Sequence, residues 1–224
     1  MVLLDLNLHY GNVSVSLDLA PGRGLREILT TPDRIDSLLI ASAATKAREG
    51  LQILDTEEPL DDVLELGEAG LAALLYDVGS MVDYIIVDTP RDLNVLSRHA
   101  LDVADVIAIV TDQSLSGMRD TQRILRMIRN RRSDAKCLVI GNRAGGVAGE
   151  VGRGDFERGV GAKISVSVPF DMKAAVAAAR LGKPLAEVAK SPATIAELQA
   201  LTLAVCVTPP PTTAPSFLSR ILKK

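Results

Sequence analysis

The sequence predicts an α/β fold, a doubly wound and mostly parallel sheet flanked by helices, on two observations. Apolar, β-branched runs recur near 1–6, 51–55, 83–88, 105–111, 136–141 and 164–168, with helical stretches between them. Two of these runs, 83–88 and 105–111, are almost uniformly apolar, the pattern of parallel strands buried on both faces. A sheet of this kind binds its ligands at the carboxyl ends of its strands.

The first run, Val2-Leu3-Leu4-Asp5-Leu6-Asn7, leads into Gly11-Asn12, a turn pair. Amphipathic segments are expected at Gly24–Leu29, Val63–Val78, Leu93–Val103, Ser116–Asn130 and Met172–Leu181. Eight glycines between Gly141 and Gly161 predict a mobile loop region before a short helix. After Cys206 the composition changes to Thr208-Pro209-Pro210-Pro211-Thr212-Thr213-Ala214-Pro215, a stiff extended linker. The chain thus divides into a domain at 1–206, a Pro/Thr-rich linker at 207–215 and a short basic tail at 216–224. There are no internal repeats.

Composition narrows the function. With 224 residues and 47% hydrophobic content the chain can bury one substantial core. A net charge of −3 argues against general nucleic-acid binding, and three Tyr, three Phe and no Trp provide few platforms for stacking bases. Cys137 and Cys206 are far apart and form no CxxC, which suits two reduced thiols in a cytoplasmic protein. No apolar run approaches the ~20 residues of a membrane span, and Asp5, Asn7 and His9 interrupt what would be a signal peptide. His9 and His99 are too few for an ordinary metal site, and no nucleophilic triad has convincing neighbours.

Several strand ends carry polar residues with chemical potential. Asp88 closes Asp83-Tyr84-Ile85-Ile86-Val87-Asp88-Thr89-Pro90, where a carboxylate can hold a water on Mg²⁺; an isolated Asp there is more often a cap or turn acid. Asp5 and Asn7 end the first strand, as a switch loop or as a plain terminus. Thr111–Asp120 joins a strand to a helix, with Ser116 as expected N-cap. That helix carries Arg123, Arg126, Arg129, Arg131 and Arg132, a solvated face or a partner or DNA surface. Gly141-Asn142-Arg143 ends another strand, and an Asn amide can pair with the N6/N7 edge of adenine. Pro169-Phe170-Asp171 stands in the corresponding place after the last strand. Arg158-Gly159-Val160-Gly161-Ala162-Lys163 has the look of a phosphate loop, but it leads into a strand instead of out of one into a helix. The pattern G-x-x-x-x-G-K-[ST] does not occur, and neither does a G-x-G-x-x-G opening a helix after a strand.

In this order the pieces resemble the MinD/ParA family of dimeric P-loop ATPases, over about residues 1–205. The matching stretches are Leu4–Asn12, Gly24–Leu29 with Pro32–Asp36, Gly50–Leu54, Asp83–Arg91, Val110–Asp120, Gly141–Arg143 and Val168–Asp171. Arg91 after Asp-Thr-Pro and the Met118-Arg119-Asp120 helix start are similar to the CpaE/TadZ branch, which serves Flp (tad) pilus assembly. The resemblance implies ATP and Mg²⁺ as cofactors. Asp88 and Asp5 would hold Mg²⁺ through water, while Asn142, Arg143, Pro169, Phe170 and Asp171 would bind the nucleotide base. It also implies that the first P-loop strand and helix lie outside this chain, ~30 residues upstream of Asp5, so that an apolar edge stands open beside the Asp88 strand.

One position departs from the family pattern. The second acid of the D-x-D switch, which positions the attacking water, is Asn7, and an amide cannot accept a proton as a carboxylate does. ATP hydrolysis by this chain is therefore an open question. The resemblance implies a homodimeric spatial regulator or scaffold of the pilus secretion machinery. It would work in the cytoplasm, at the inner-membrane face or the cell pole. The alternatives are a catalytically dead scaffold and a ParA-type DNA-partition ATPase using the arginine helix. In the tail, Phe217, Leu218, Ile221 and Leu222 share one helical face beside Arg220, Lys223 and Lys224, a short interfacial anchor or a solubilising terminus.

Overall fold

The computed structural model describes residues 1–146 and 148–206. The linker at 207–215 and the tail residues Phe217, Leu218, Ile221 and Leu222 lie outside the described residues. The described chain forms two compact units, with the boundary after Ala100.

The first unit contains β1 (Val2–Asp5), α1 (Val13–Ser16), α2 (Leu25–Thr30), α3 (Ser37–Ala43), β2 (Thr45–Arg48), β3 (Leu51–Leu54), α4 (Glu68–Gly79) and β4 (Ile85–Asp88). Its sheet has the order β2-β3-β1-β4. β1 runs parallel to both neighbours, pairing Leu3 with Ile53 and with Ile86, whereas β2 is antiparallel to β3. Helices α2 and α4 cover the sheet because Leu25, Ile28, Leu71 and Leu74 recur at helical spacing and meet Leu4 and Leu6 in one buried cluster. Asp36 caps α3, accepting from the Leu39 amide at 2.7 Å.

The helix α5 (Val95–Val103) spans the boundary into the second unit. That unit continues with β5 (Val106–Thr111), α6 (Leu115–Arg131), β6 (Lys136–Ala144), α7 (Arg153–Val160), β7 (Ile164–Pro169), α8 (Met172–Leu181), α9 (Leu185–Val188) and α10 (Pro192–Val205). β5, β6 and β7 form a three-stranded parallel sheet in that order. One cluster joins Ile107, Ile109, Leu125, Ile128, Val139 and the fully buried Phe156. A smaller one packs Ile140, Val166 and Val168 against Leu198, Leu201 and Ala204 of α10.

All six expected strands are present, and the alternation of strand and helix is the α/β pattern the sequence predicts. They form two hydrogen-bonded sheets, not one continuous sheet. Among the described residues β4 pairs only with β1, and β5 only with β6. Each therefore leaves one edge open, with Ile86 at 48% and Val110 at 63% exposure.

Two local expectations are corrected. The N-cap of α6 is Ser114, whose hydroxyl accepts from the Gly117 amide at 3.0 Å, because Asp112 turns the chain two residues earlier than the pattern around Ser116 suggests. The glycine-rich region is also largely regular: Gly141 lies in β6, and Gly154 and Gly159 lie in α7. Only Gly145–Gly152 connects them, and Gly161 ends α7 in the left-handed conformation at φ 71°. The segment around Lys163 thus runs from helix to strand, as its rejection as a phosphate loop requires.

Candidate functional site

In the first unit the geometry centres on the carboxyl ends of β1 and β4. Parallel pairing sets Asp5 directly beside Asp88, and the Leu6 amide donates to the Asp88 carbonyl at 2.9 Å. The two acids differ in environment. Asp5 is 2% exposed, and its carboxylate accepts from the amides of Asn7 at 2.9 Å and Val13 at 3.4 Å. It is the hub of the seven-residue loop, 6–12, that joins β1 to α1. Leu6 and Leu8 point into the core while Asn7 stands half-buried between them. Gly11 closes the loop, and only glycine fits: a Cβ there would lie 2.6 Å from Asp5 Oδ2 and 2.7 Å from the Asn7 carbonyl.

Asp88 is exposed at the strand end. Its pKa is raised, first by desolvation among the crowded strand ends and then by the negative charge of Asp5, with the Thr89 amide opposing. Burial also raises the pKa of Asp5, against the amides of Asn7 and Val13, and Asp55 adds repulsion. Asp55 is itself 5% exposed and accepts from the Gly22 amide at 2.9 Å. Three carboxylates at adjacent strand ends make a region that favours a cation. Among the described residues no group of three or more His, Cys, Asp or Glu could hold a metal by itself. Mg²⁺ takes one or two carboxylates and fills its remaining positions with water and substrate phosphates. Asp88 is the carboxylate open to such an ion, and Asp5 is committed to backbone donors.

In the second unit the polar residues at the ends of β6 and β7 come together. Ala144 is in register with Pro169, and the Phe170 amide donates to the Ala144 carbonyl at 3.0 Å. The Phe170 ring lies on Gly146, where a Cβ would stand 2.3 Å from it. The Asn142 side-chain oxygen accepts from the Arg143 amide at 3.0 Å, leaving the NH₂ group to donate. Arg143 adopts φ 57° and reaches Asp112 at 3.7 Å. Asp171 caps α8, accepting from the Ala174 amide at 3.0 Å and from the Thr194 hydroxyl at 3.4 Å. The structure thus places Asn142, Arg143, Pro169, Phe170 and Asp171 on one strand-end surface, with Asp171 as its structural support.

Sequence reasoning missed several residues that hold these surfaces. Asp55 sits at the end of a recognised strand, and its position there was the available signal. Glu150 has no sequence signal: it accepts from the Gly145 amide at 2.8 Å and from the Gln113 side chain, tying the β6 end to the β5–α6 turn.

Comparison with known proteins identifies the family and the fold. The chain is 23% identical over 172 residues to an uncharacterised ATP-binding protein of Methanocaldococcus jannaschii, spanning 76% of this chain and 63% of that relative's length. A ParA family ATPase of Chlorobium tepidum superposes with a TM-score of 0.79 at 21% identity, covering 92% of this chain and 85% of that one. The septum site-determining protein MinD of Pyrococcus horikoshii, complexed with Mg-ADP, gives 0.68 at 18%, covering 89% and 80%. The fold is that of the ParA and MinD ATPases. The family model AAA_31, an AAA domain, matches residues 20–148, more than half of the chain, and the protein belongs to that family.

Proposed function

We propose that this protein is a nucleotide switch of the MinD/ParA kind that places or scaffolds the machinery of Flp (tad) pilus assembly. The observation that carries the nucleotide reading is the Asp5–Asp88 pair: one acid is locked into the loop that bears Asn7, and the other is open to a cation. Asp88 would hold Mg²⁺, the Asn142 NH₂ group would address the adenine, and Pro169 and Phe170 would line the base. Bound Mg²⁺ would neutralise phosphate charge. The chain's own residues would position it, with Asp88 set beside the loop anchored on Asp5.

The phosphates are cradled, on this reading, by a strand and loop that pair with the open edge of β4. Two features support it: β4 has one strand partner among the described residues, and Ile86 is half exposed on it. The pilus assignment rests on Arg91 after Asp-Thr-Pro and on Met118-Arg119-Asp120 at the start of α6. Nucleotide binding in pairs, homodimerisation and contact with the inner membrane or pole belong to the same proposal.

A second reading is favoured by Asn7. With an amide where the family has its water-positioning acid, the protein holds ATP without turning it over and acts as a scaffold. Phosphate release assays on the protein and on Asn7→Asp separate the two. The scaffold reading expects no turnover until Asn7→Asp introduces it; comparable turnover in both excludes it. For the pilus role, cells lacking the protein should assemble no Flp pili, and an Asp88→Ala allele should fail to restore them. Full piliation without the protein would remove that assignment.

A further inference from the structure

Between β3 and α4 the chain runs from Asp55 to Gly67 without helix or strand. Residues 55–68 contain seven carboxylates and no lysine or arginine. This segment faces the His9–Gly11 loop across a cleft of about 540 Å³ that Glu57–Leu60 line on the other side. The apolar part of the rim is exposed: Tyr10 at 72%, Leu60 at 66% and, just beyond the turn, Val63 at 83%. Arg26 reaches in from α2, but Glu58 at 2.6 Å and Asp62 at 2.5 Å engage it. Glu57 and Asp61 remain exposed. Exposed aromatic and aliphatic groups beside exposed like charges describe a surface for a cationic, partly apolar segment.

We propose that this cleft receives the chain's own C-terminal segment, Ser216–Lys224. Its sequence is the complement of the cleft: Phe217, Leu218, Ile221 and Leu222 for the apolar rim, and Arg220, Lys223 and Lys224 for Glu57 and Asp61. These residues lie outside the described residues and enter the argument through their sequence. Tethering through the 207–215 linker makes the encounter intramolecular, so modest contacts suffice. The cleft is also wired to the switch loop. The Glu58 amide donates to the Leu8 carbonyl at 2.9 Å, and His9 Nε2 bonds the Asp62 carbonyl at 3.0 Å.

The test is a site-specific cross-link in the full chain. Phe217 is replaced by benzoylphenylalanine, the protein is irradiated, and the adduct is mapped by mass spectrometry. The expected adduct is intrachain and falls on Tyr10 or within residues 57–63. Glu57→Lys with Asp61→Lys should reduce its yield several-fold, and adding Arg220→Glu with Lys223→Glu should restore it. If the double lysine variant fails to fold, Glu57→Gln with Asp61→Asn should give a smaller loss in the same direction. An adduct elsewhere, an adduct between two chains, a yield indifferent to these charges, or cross-linking only to added lipid vesicles would overturn the proposal.

Discussion

At the scale of single residues, the site is built from carboxylates whose surroundings give them different roles. Asp88 has its pKa raised by desolvation and by Asp5, so the folded state binds its proton more readily than the unfolded chain. The penalty of ionising it is therefore present above the folded pKa, and it is relieved as pH falls through that value toward the ordinary 3.8. Asp88→Asn should accordingly raise Tm at neutral pH while abolishing Mg²⁺-dependent nucleotide binding, as melting curves paired with titrations would show. Glu157 is the opposite case. Lys163 at 2.7 Å, Arg153 at 3.1 Å and the Ile164 amide at 3.1 Å hold its pKa at about 2 instead of 4.5. Its contribution is complete above 4.5 and is lost as pH falls from there to about 2. Glu157→Gln should lower Tm at pH 7 and flatten that part of the acid-stability profile. Gly11→Ala forces a Cβ onto Asp5 Oδ2 and should cost about 1–3 kcal/mol; an unchanged melting curve would show that the loop relaxes freely. Sequence reading located Asp5, Asp88 and Asn142 because polar residues ending apolar strands stand out. It did not reveal that backbone amides of Asn7 and Val13 consume the Asp5 carboxylate, because that depends on how the following eight residues turn.

At the scale of elements, α6 shows why a charge run has to be divided by contacts. Its sequence reads as one row of arginines, yet Arg131 is forked onto Asp102, and Arg132 donates to the carbonyls of Ala104 at 2.7 Å and Leu101 at 3.3 Å. Arg119, Arg123, Arg126 and Arg129 are exposed. Arg131→Ala should therefore lower Tm, whereas Arg126→Ala should leave it unchanged. If DNA retention does occur and falls steeply with salt, Arg126→Ala should be the variant that weakens it. Helix α7 contributes through Phe156, which is fully buried against the second sheet, so Phe156→Ala should cost about 3–5 kcal/mol. Helix α10 was not legible in the sequence. Its apolar residues spread around the helix, with Leu198 and Leu201 inward and Leu203 70% exposed, so no periodic stripe announces it. Strand β2 escaped for a related reason: Thr45–Arg48 is a polar antiparallel edge, four residues long. The parallel strands were legible because their apolar runs are continuous. The burial on both faces expected of β4 and β5 is not found: Ile86 is 48% and Val110 63% exposed, since each strand has one unpaired edge among the described residues.

At the scale of the whole molecule, each of the two sheets ends, among the described residues, in a parallel strand with one unpaired edge, β4 in the first and β5 in the second. The exposed apolar residues on those strands, Ile86 and Val110, mark surfaces suited to a further strand. Asp5 and Asp88 sit at the carboxyl ends of β1 and β4 in the first unit, and Asn142, Arg143 and Phe170 at those of β6 and β7 in the second. Carboxyl ends of parallel strands are where open α/β sheets bind ligands. The account's central claim is that Asp88 couples Mg²⁺ to nucleotide binding. The most direct measurement is calorimetric titration of ATP, with and without Mg²⁺, into the protein recovered from its own cells and into its Asp88→Asn variant. The account predicts Mg²⁺-dependent binding that the variant loses while keeping its fold. No binding of ATP by the native protein, or binding that ignores both Mg²⁺ and Asp88, would contradict it.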